Sequence, residues 1–326
     1  MDKALGKLSS DRHASCSGIP VLFGVSPYET KNEYLKSRID ARAGVDVRSD
    51  KNNMPIEIGN ILEKPLIELS AEKLGLTNVE VSINQAVQHL DFPLEGSIDG
   101  TAYAKNLIIK PDNELIYTED DQDILLDGKG IVEIKTTRQL PEQDGKPPLW
   151  RGVLQTKALC AICGYSWGLV STLHNTNDFK MFLLRRDFAF EKELKDIITD
   201  FERRIKEQDW YAPQVLPDLQ IMHPVSEQKE VDLNDDECGF HLDRIMDNKE
   251  KIKLLNEEVE KSQIFIQTKM GDAELGHNYK YKVTWGSTTY KPQPEKVVPA
   301  KDGYTIRRKT ATIKKLDLWP VFTLKE

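Results

Sequence analysis

"GIVEIKTT" (residues 130–137) sets a Glu and a Lys two positions apart among apolar and β-branched residues. On a strand, the period of two sends Glu133 and Lys135 to one face and Ile134 to the other. Alone, such a pair reads as a weak ion pair on a surface strand. Upstream, "GSIDG" (96–100) places Asp99 at the end of another strand, immediately before a glycine. Two carboxylates on neighbouring strand ends can hold a hard divalent cation through oxygen, with waters filling the remaining positions. Glu63, on an earlier helix, is a candidate third ligand. A cation so held acidifies a bound water and stabilises charge developing on a phosphodiester. Lys135 then orients or deprotonates that water, or neutralises the developing charge, and the sequence leaves these roles open.

Outward from that stretch, hydrophobic periodicity and turn residues give an order of elements. A short helix and a Gly/Ser/Pro turn precede a helix from about Lys31 to Arg42. "PIEIGNILEKPLIELSAEKLGL" (55–76) repeats Ile58, Leu62, Leu66 and Leu69 at helical spacing, with Pro65 expected to bend it and Gly75 to close it. Strand-like pieces follow, including "NLIIK" and "ELIYT" with "PDN" as the turn between two of them. "WRGVLQTKALCAICG" (150–164) reads as a helix after a Pro-rich loop. A hairpin with its tip at His174–Asp178 and a long amphipathic helix complete the run. Helices, antiparallel strands, helix, strand pair and helix imply an α/β class of fold, a mixed sheet flanked by helices. The expected domains are 1–211 for this core, 212–239 for a Pro-rich and acidic linker, and 240–326 for an amphipathic helix plus a basic β-rich region. In that helix Ile245, Ile252, Val259 and Ile266 recur at heptad spacing.

The chain has 326 residues, 39% hydrophobic and 30% charged, with a net charge of −8. That excludes a protein coated in basic surface, and confines any nucleic-acid contact to a groove. Charge is unevenly placed. Asp112 to Asp127 holds seven acids and no base, whereas Lys280 to Asp317 holds ten Lys or Arg against three acids. There is no apolar run long enough to span a membrane and no apolar leader, so an intracellular protein is expected. Cys16, Cys160, Cys163 and Cys238 suit reduced thiols. Cys160 and Cys163 form a C-x-x-C, but in the apolar middle of a helix they read as buried thiols rather than as cluster ligands. No Walker-type phosphate loop occurs. His89, His174 and His223 lack neighbours at metal spacing.

Asp99, Glu133-x-Lys135 and Gln155 on the next helix together resemble the PD-(D/E)XK nuclease pattern in its RecB-like form. "SCSGIPVLFGVSPYETKNEYL" (15–35) is similar to the S-x-x-P-x-x-x-G-x-S-P-Y opening of YqaJ-like viral recombinases, and "IGNILEKPLIELSAEKLGL" (58–76) to their Glu-bearing helix. That family includes the lambda-type alkaline exonucleases, and the resemblance covers roughly residues 8–211. It implies a restriction-endonuclease-like core in which Asp99, Glu133 and the Ile134 carbonyl bind Mg²⁺, with Mn²⁺ as a substitute. It makes Lys135 the water-activating residue, Glu63 a contact to a second metal or its waters, and Gln155 a buttress. Arg12 and Ser17 lie where such enzymes gather a terminal 5′-phosphate. Arg138, Arg151 and Lys157 are candidates to line the DNA path, and Trp150 to stack on a terminal base or simply to pack. The acidic segment between Lys105 and Lys129 is expected on the outer side, away from DNA.

The implied activity is metal-dependent digestion of one strand of linear duplex DNA, 5′ to 3′, leaving a 3′ single-stranded tail for a single-strand annealing protein. It implies a phage or prophage recombination system in a bacterial cytoplasm, and a ring trimer. The alternatives are a DNA-end-binding scaffold with little catalysis and a structure-specific endonuclease on the same fold.

Overall fold

The computed structural model describes residues 10–45, 47, 54–81 and 86–287. The basic C-terminal stretch with Arg307, Arg308 and Lys309 lies outside the described residues. The chain forms two compact units, the first running to Met222 and the second starting at His223.

The first unit begins with β1 (Ala14–Ser15), a single 3₁₀ turn (Cys16–Gly18) and α1 (Ile19–Leu22). α2 (Lys31–Arg42) starts at a capping box: Thr30 Oγ1 accepts from the Glu33 N–H at 3.1 Å and Glu33 Oε2 accepts from the Thr30 N–H at 2.8 Å. α3 (Met54–Leu74) continues through Pro65, where a bend was expected, and closes at Gly75 with φ +69°. Its buried face carries Leu66, Ile67, Ala71 and Leu74, with Leu62 and Leu69 beside them. Ile58 is 47% exposed and does not belong to that face.

Three short strands, β1, β3 (Val87–Gln88) and β4 (Leu94–Gly96), make a small sheet in the order β1-β4-β3. The main sheet contains β2 (Thr77–Val81), β5 (Gly100–Ile109), β6 (Ile116–Thr118), β7 (Ile124–Thr137), β8 (Trp167–His174) and β9 (Asp178–Arg185), in the order β2-β5-β7-β8-β9-β6. β7 lies between an antiparallel partner, β5, and a parallel one, β8. Val132 and Ile134 of β7 face the α3 side together with Leu169 and Leu183. Ile131 faces the other side, in the cluster with α4 (Leu154–Cys163) and α5 (Phe188–Glu207). Each fully buried leucine of these layers stabilises the fold by roughly 2 kcal/mol.

The excursion between β5 and β7 corrects the hairpin expected from "NLIIK" and "ELIYT". Asp112 Oδ1 does organise a turn, accepting the N–H groups of Glu114, Leu115 and Ile116 at 2.9, 2.8 and 2.8 Å. The strand after it nevertheless joins the far edge, with Tyr117 opposite Phe182 of β9 in parallel pairing. The end of β5 pairs with β7 instead, Leu107, Ile108 and Ile109 lying opposite Leu126, Leu125 and Ile124. The acids of the excursion find cations distant in sequence: Glu119 pairs with Lys157 at 2.8 Å, Asp120 with Arg185 at 2.9 Å and Asp121 with Lys146 at 2.8 Å.

The Pro-rich stretch expected to open a linker is fastened to α2. Asn32 and Tyr211 exchange two hydrogen bonds of 3.1 and 2.9 Å. α6 (Leu216–Met222) then places Asp218 to accept from Thr30 Oγ1 at 2.6 Å. The first unit thus extends beyond residue 211, to Met222.

In the second unit α7 (Asp236–Met270) runs for 35 residues from Asp235, whose side chain accepts the Cys238 N–H at 2.8 Å. The heptad residues Ile245, Ile252, Val259 and Ile266 are all exposed on it. β10 (Leu275–His277) and β11 (Lys282–Thr284) form an antiparallel pair. No helix among the described residues is long and apolar enough to cross a membrane.

Candidate active site

β7 brings Glu133 and Lys135 to the same face, as their spacing requires, and buries Glu133 completely. Lys135 Nζ donates to Glu133 Oε1 and, at 3.2 Å, to Gln155 Oε1 on α4. Asp99, just before β5, is tied to the same strand, since its Oδ2 accepts the Ile134 N–H at 3.0 Å. α3 passes the end of β7, where a Cβ on Gly59 would lie 3.8 Å from Thr136 Oγ1. Glu63 follows one turn later, half-buried and within electrostatic reach of Asp99, Glu133 and Lys135. The five residues Glu63, Asp99, Glu133, Lys135 and Gln155 therefore meet at one end of the sheet.

The electrostatics are those of an acid-rich site with one cation. Burial, then the charge of Asp99, pushes the Glu133 carboxyl up to about 8, against the opposing pull of Lys135. Burial and Asp99 likewise push Glu63 up to about 7. Burial works against the Lys135 ammonium, yet the neighbouring Glu133, Asp99 and Glu63 outweigh it and raise its pKa. Glu133 Oε2 is buried without a hydrogen-bond partner. A divalent cation fits that vacancy of partners: it would satisfy the orphaned oxygen and relieve the crowding of negative charge. Among the described residues no three His, Cys, Asp or Glu side chains form a ready-made cage.

The residues expected to contact DNA separate into two groups. Ser17 is exposed, its Oγ 3.1 Å from Ser15 Oγ, and Arg12 is exposed, its carbonyl accepting from Arg42 Nε at 2.8 Å. Cys16, beside Ser17, is buried close enough to feel the charge of Glu133, although burial and Cys163 contribute more to raising its thiol pKa. Arg138 is exposed one residue beyond the end of β7. Lys157 and Arg151, by contrast, have their charges engaged by protein. Lys157, 13% exposed in its side chain, bridges Glu119 at 2.8 Å and Asp187 at 3.2 Å. Arg151 is buried and donates to Gln139 O at 3.0 Å and Gln139 Oε1 at 2.6 Å. A phosphate binding to either would have to compete with these protein partners.

Trp150 stacks under the Arg151 guanidinium at 4.5 Å and meets Tyr28 edge-on, with ring centroids 5.2 Å apart. Tyr28 is 74% exposed. In sequence Trp150 stood out as a stacking candidate, and Tyr28 only as the last residue of the S-P-Y motif. An open pocket of about 550 Å³ runs beside Trp150, lined also by Gln139, Leu140, Pro148 and Arg151. The helix expected to start at Trp150 starts instead at Leu154, after non-helical backbone at Arg151 and Gly152. The signal for that break was Gly152 itself.

The chain is similar to alkaline exonucleases of solved structure. To LHK-Exo in complex with dAMP the TM-score is 0.43 at 16% identity, over 60% of this chain and 89% of that one. To the alkaline exonuclease LHK-Exo from Laribacter hongkongensis it is 0.43 at 14% identity, over 61% and 90%. To a phage-related exonuclease from Haemophilus somnus 129PT it is 0.38 at 10% identity, over 60% and 94%. No family model matches the chain, and no curated protein does.

Proposed function

We propose that the chain is a metal-dependent deoxyribonuclease acting as an exonuclease on the ends of linear duplex DNA. The observation that carries this reading is Glu133: fully buried, one oxygen on Lys135, the other without a partner, and Asp99 fastened beside it. Asp99, Glu133 and the Ile134 carbonyl would hold Mg²⁺ or Mn²⁺, with Glu63 acting through its waters. When bound, the cation supplies Lewis-acid stabilisation of the phosphodiester and a more acidic water. Lys135 presents an ammonium to the developing negative charge, and Gln155 fixes the direction of that ammonium through the 3.2 Å bond. Burial around Glu133 excludes bulk water and strengthens each of these charges.

The sequence resemblance extends the proposal to finer points. Digestion runs 5′ to 3′ and leaves a 3′ tail for an annealing protein, in a phage-type recombination system of a bacterial cytoplasm, with a ring trimer as the working assembly. Arg12 and Ser17 gather the terminal phosphate, Arg138 lies along the DNA path, and Trp150 with Tyr28 offers a stacking surface for a terminal base.

The test is digestion of end-labelled linear duplex against closed circular duplex, with Mg²⁺ or EDTA, for wild type and Lys135→Ala. Metal-dependent loss of the linear substrate alone, abolished by the substitution, supports the proposal, and the label position gives polarity. Cutting of the closed circle would replace it with an endonuclease. Binding of ends without cutting, under Mg²⁺ or Mn²⁺, would replace it with a scaffold.

A further inference from the structure

Lys135 has a long, flexible stem with 29% of its side chain still exposed, yet its Nζ must meet Glu133 and Gln155 at once. Something has to restrict that stem. Gly152 is placed to do so. Its backbone lies in the left-handed region, φ +86° and ψ −27°, in the break before α4. A Cβ there would stand 3.3 Å from Lys135 Cε, 3.4 Å from Lys135 Cγ and 3.0 Å from Val170 Cγ1. The bare backbone of residue 152 is therefore a wall against the lysine stem, and only glycine gives that wall both the φ and the room.

The wall is braced from behind. The Arg151 N–H donates to Pro148 O at 2.8 Å, which turns the chain before the helix. The Arg151 guanidinium grips Gln139 through both its carbonyl and its side-chain oxygen, and rests on Trp150. Gln139 O also lies 2.9 Å from Nδ1 of His174, a buried residue at the end of β8. The clamp thus links the loop after β7, the end of β8 and the break before α4 around one lysine.

We propose that Gly152 and the Arg151–Gln139 clamp are positioning elements for Lys135. The inference rests on the nuclease reading of the site. It assigns Arg151 no contact with DNA: its cationic face serves the loop, and its effect on cleavage passes through Lys135. Breaks in regular helix of this kind recur at functional sites.

The experiment compares full-length wild type, Gly152→Ala, Arg151→Met and Gln139→Ala. It measures single-turnover cleavage of linear duplex in Mg²⁺, affinity for the same duplex in EDTA across a salt series, melting temperature, and labelling of Lys135 by an amine reagent mapped by mass spectrometry. Misplacing a reacting group by about 1 Å costs on the order of 100-fold, so the variants should cleave about 10- to 100-fold more slowly. Affinity and its salt slope should match wild type, and Lys135 should label faster. Adding Val170→Ala to Gly152→Ala removes the 3.0 Å contact but neither those with Lys135 nor the strain of φ +86°, so the rate should stay low whether or not melting changes. A salt slope reduced by about 1 in Arg151→Met would make Arg151 a phosphate ligand and overturn the proposal. So would wild-type cleavage and labelling in the variants. Gln139→Ala keeps the test decisive if strain at residue 152 prevents folding. Should wild type itself not cleave, the nuclease reading falls, while Lys135 labelling still decides whether the wall holds the lysine.

Discussion

The Asp99 Oδ2 accepts the Ile134 N–H at 3.0 Å, so the acid at one strand end is fastened to the peptide that joins Glu133 to Ile134 on the next strand. Asp99→Asn keeps an acceptor oxygen and removes the charge, whereas Asp99→Ala removes both. Both variants should lose metal-dependent cleavage by about 1,000-fold or more, on the scale of removing a main electrostatic stabiliser. Only Asp99→Ala should also lose about 1–3 kcal/mol of stability, because it leaves the Ile134 N–H without its partner. Urea denaturation beside the cleavage assay separates the two effects, and equal stability losses would place the hydrogen bond outside the fold's supports.

Glu133 and Glu63 are pushed up to about 8 and about 7 from an ordinary 4.5, so the metal-free fold binds more protons than the unfolded chain between those values. A raised carboxyl contributes stability that is fully present below its unfolded pKa and is lost as pH rises through its folded one. Melting of the EDTA-treated protein should therefore fall as pH rises from about 4.5 to about 8. Glu133→Gln should flatten that slope. The stabilisation given by Mg²⁺ should grow over the same window, as cation replaces proton. Melting curves with and without Mg²⁺ across pH provide the check.

Lys157→Ala should destabilise the protein by about 1 kcal/mol, because Glu119 and Asp187, each about a third exposed, lose their shared cation but can turn to water. Asp187 also caps α5 by accepting the Phe190 N–H at 3.0 Å, so the loss reaches that helix. The salt slope of DNA binding should be unchanged. A slope lower by about 1 would place Lys157 on the DNA path.

Acidification should release α6. The Asp218 pKa is lowered: burial raises it, but hydrogen bonds from Thr30, Gln214 and Val215 outweigh burial. A lowered carboxyl contributes stability present above its unfolded pKa and lost as pH falls through its folded one. Limited proteolysis should cut within residues 212–222 below about pH 4 and spare them at neutral pH. Asp218→Asn should be cut there at both.

Much of this architecture was legible because it is written in local periods. The helix read from Lys31 to Arg42 has those bounds, since Thr30 and Glu33 form a complete cap and Gly44 follows. Glu133 and Lys135 touch because a strand returns to the same face every second residue. Illegible parts depended on partners distant in sequence. "PDN" is a turn, but nothing near it says that Ile116–Thr118 will bypass β5 and pair with Met181–Leu183. Lys157 and Arg151 looked like free cations because Glu119, Asp187 and Gln139 lie 12 to 38 residues away along the chain. The helix expected at Trp150 failed at a residue that carried its own warning, Gly152.

Among the described residues β6 has one neighbour, β9, and that neighbour is made much later. When Ile116–Thr118 leaves the ribosome, Met181–Leu183 has still to be translated, an interval of several seconds at roughly 5–20 residues per second. β5 and β7 can zip together meanwhile, closing the excursion into a loop with Tyr117 unhoused. Until the β8–β9 hairpin is made, the edge that β6 joins does not exist, and the nascent chain carries Ile116–Thr118 without its partner strand.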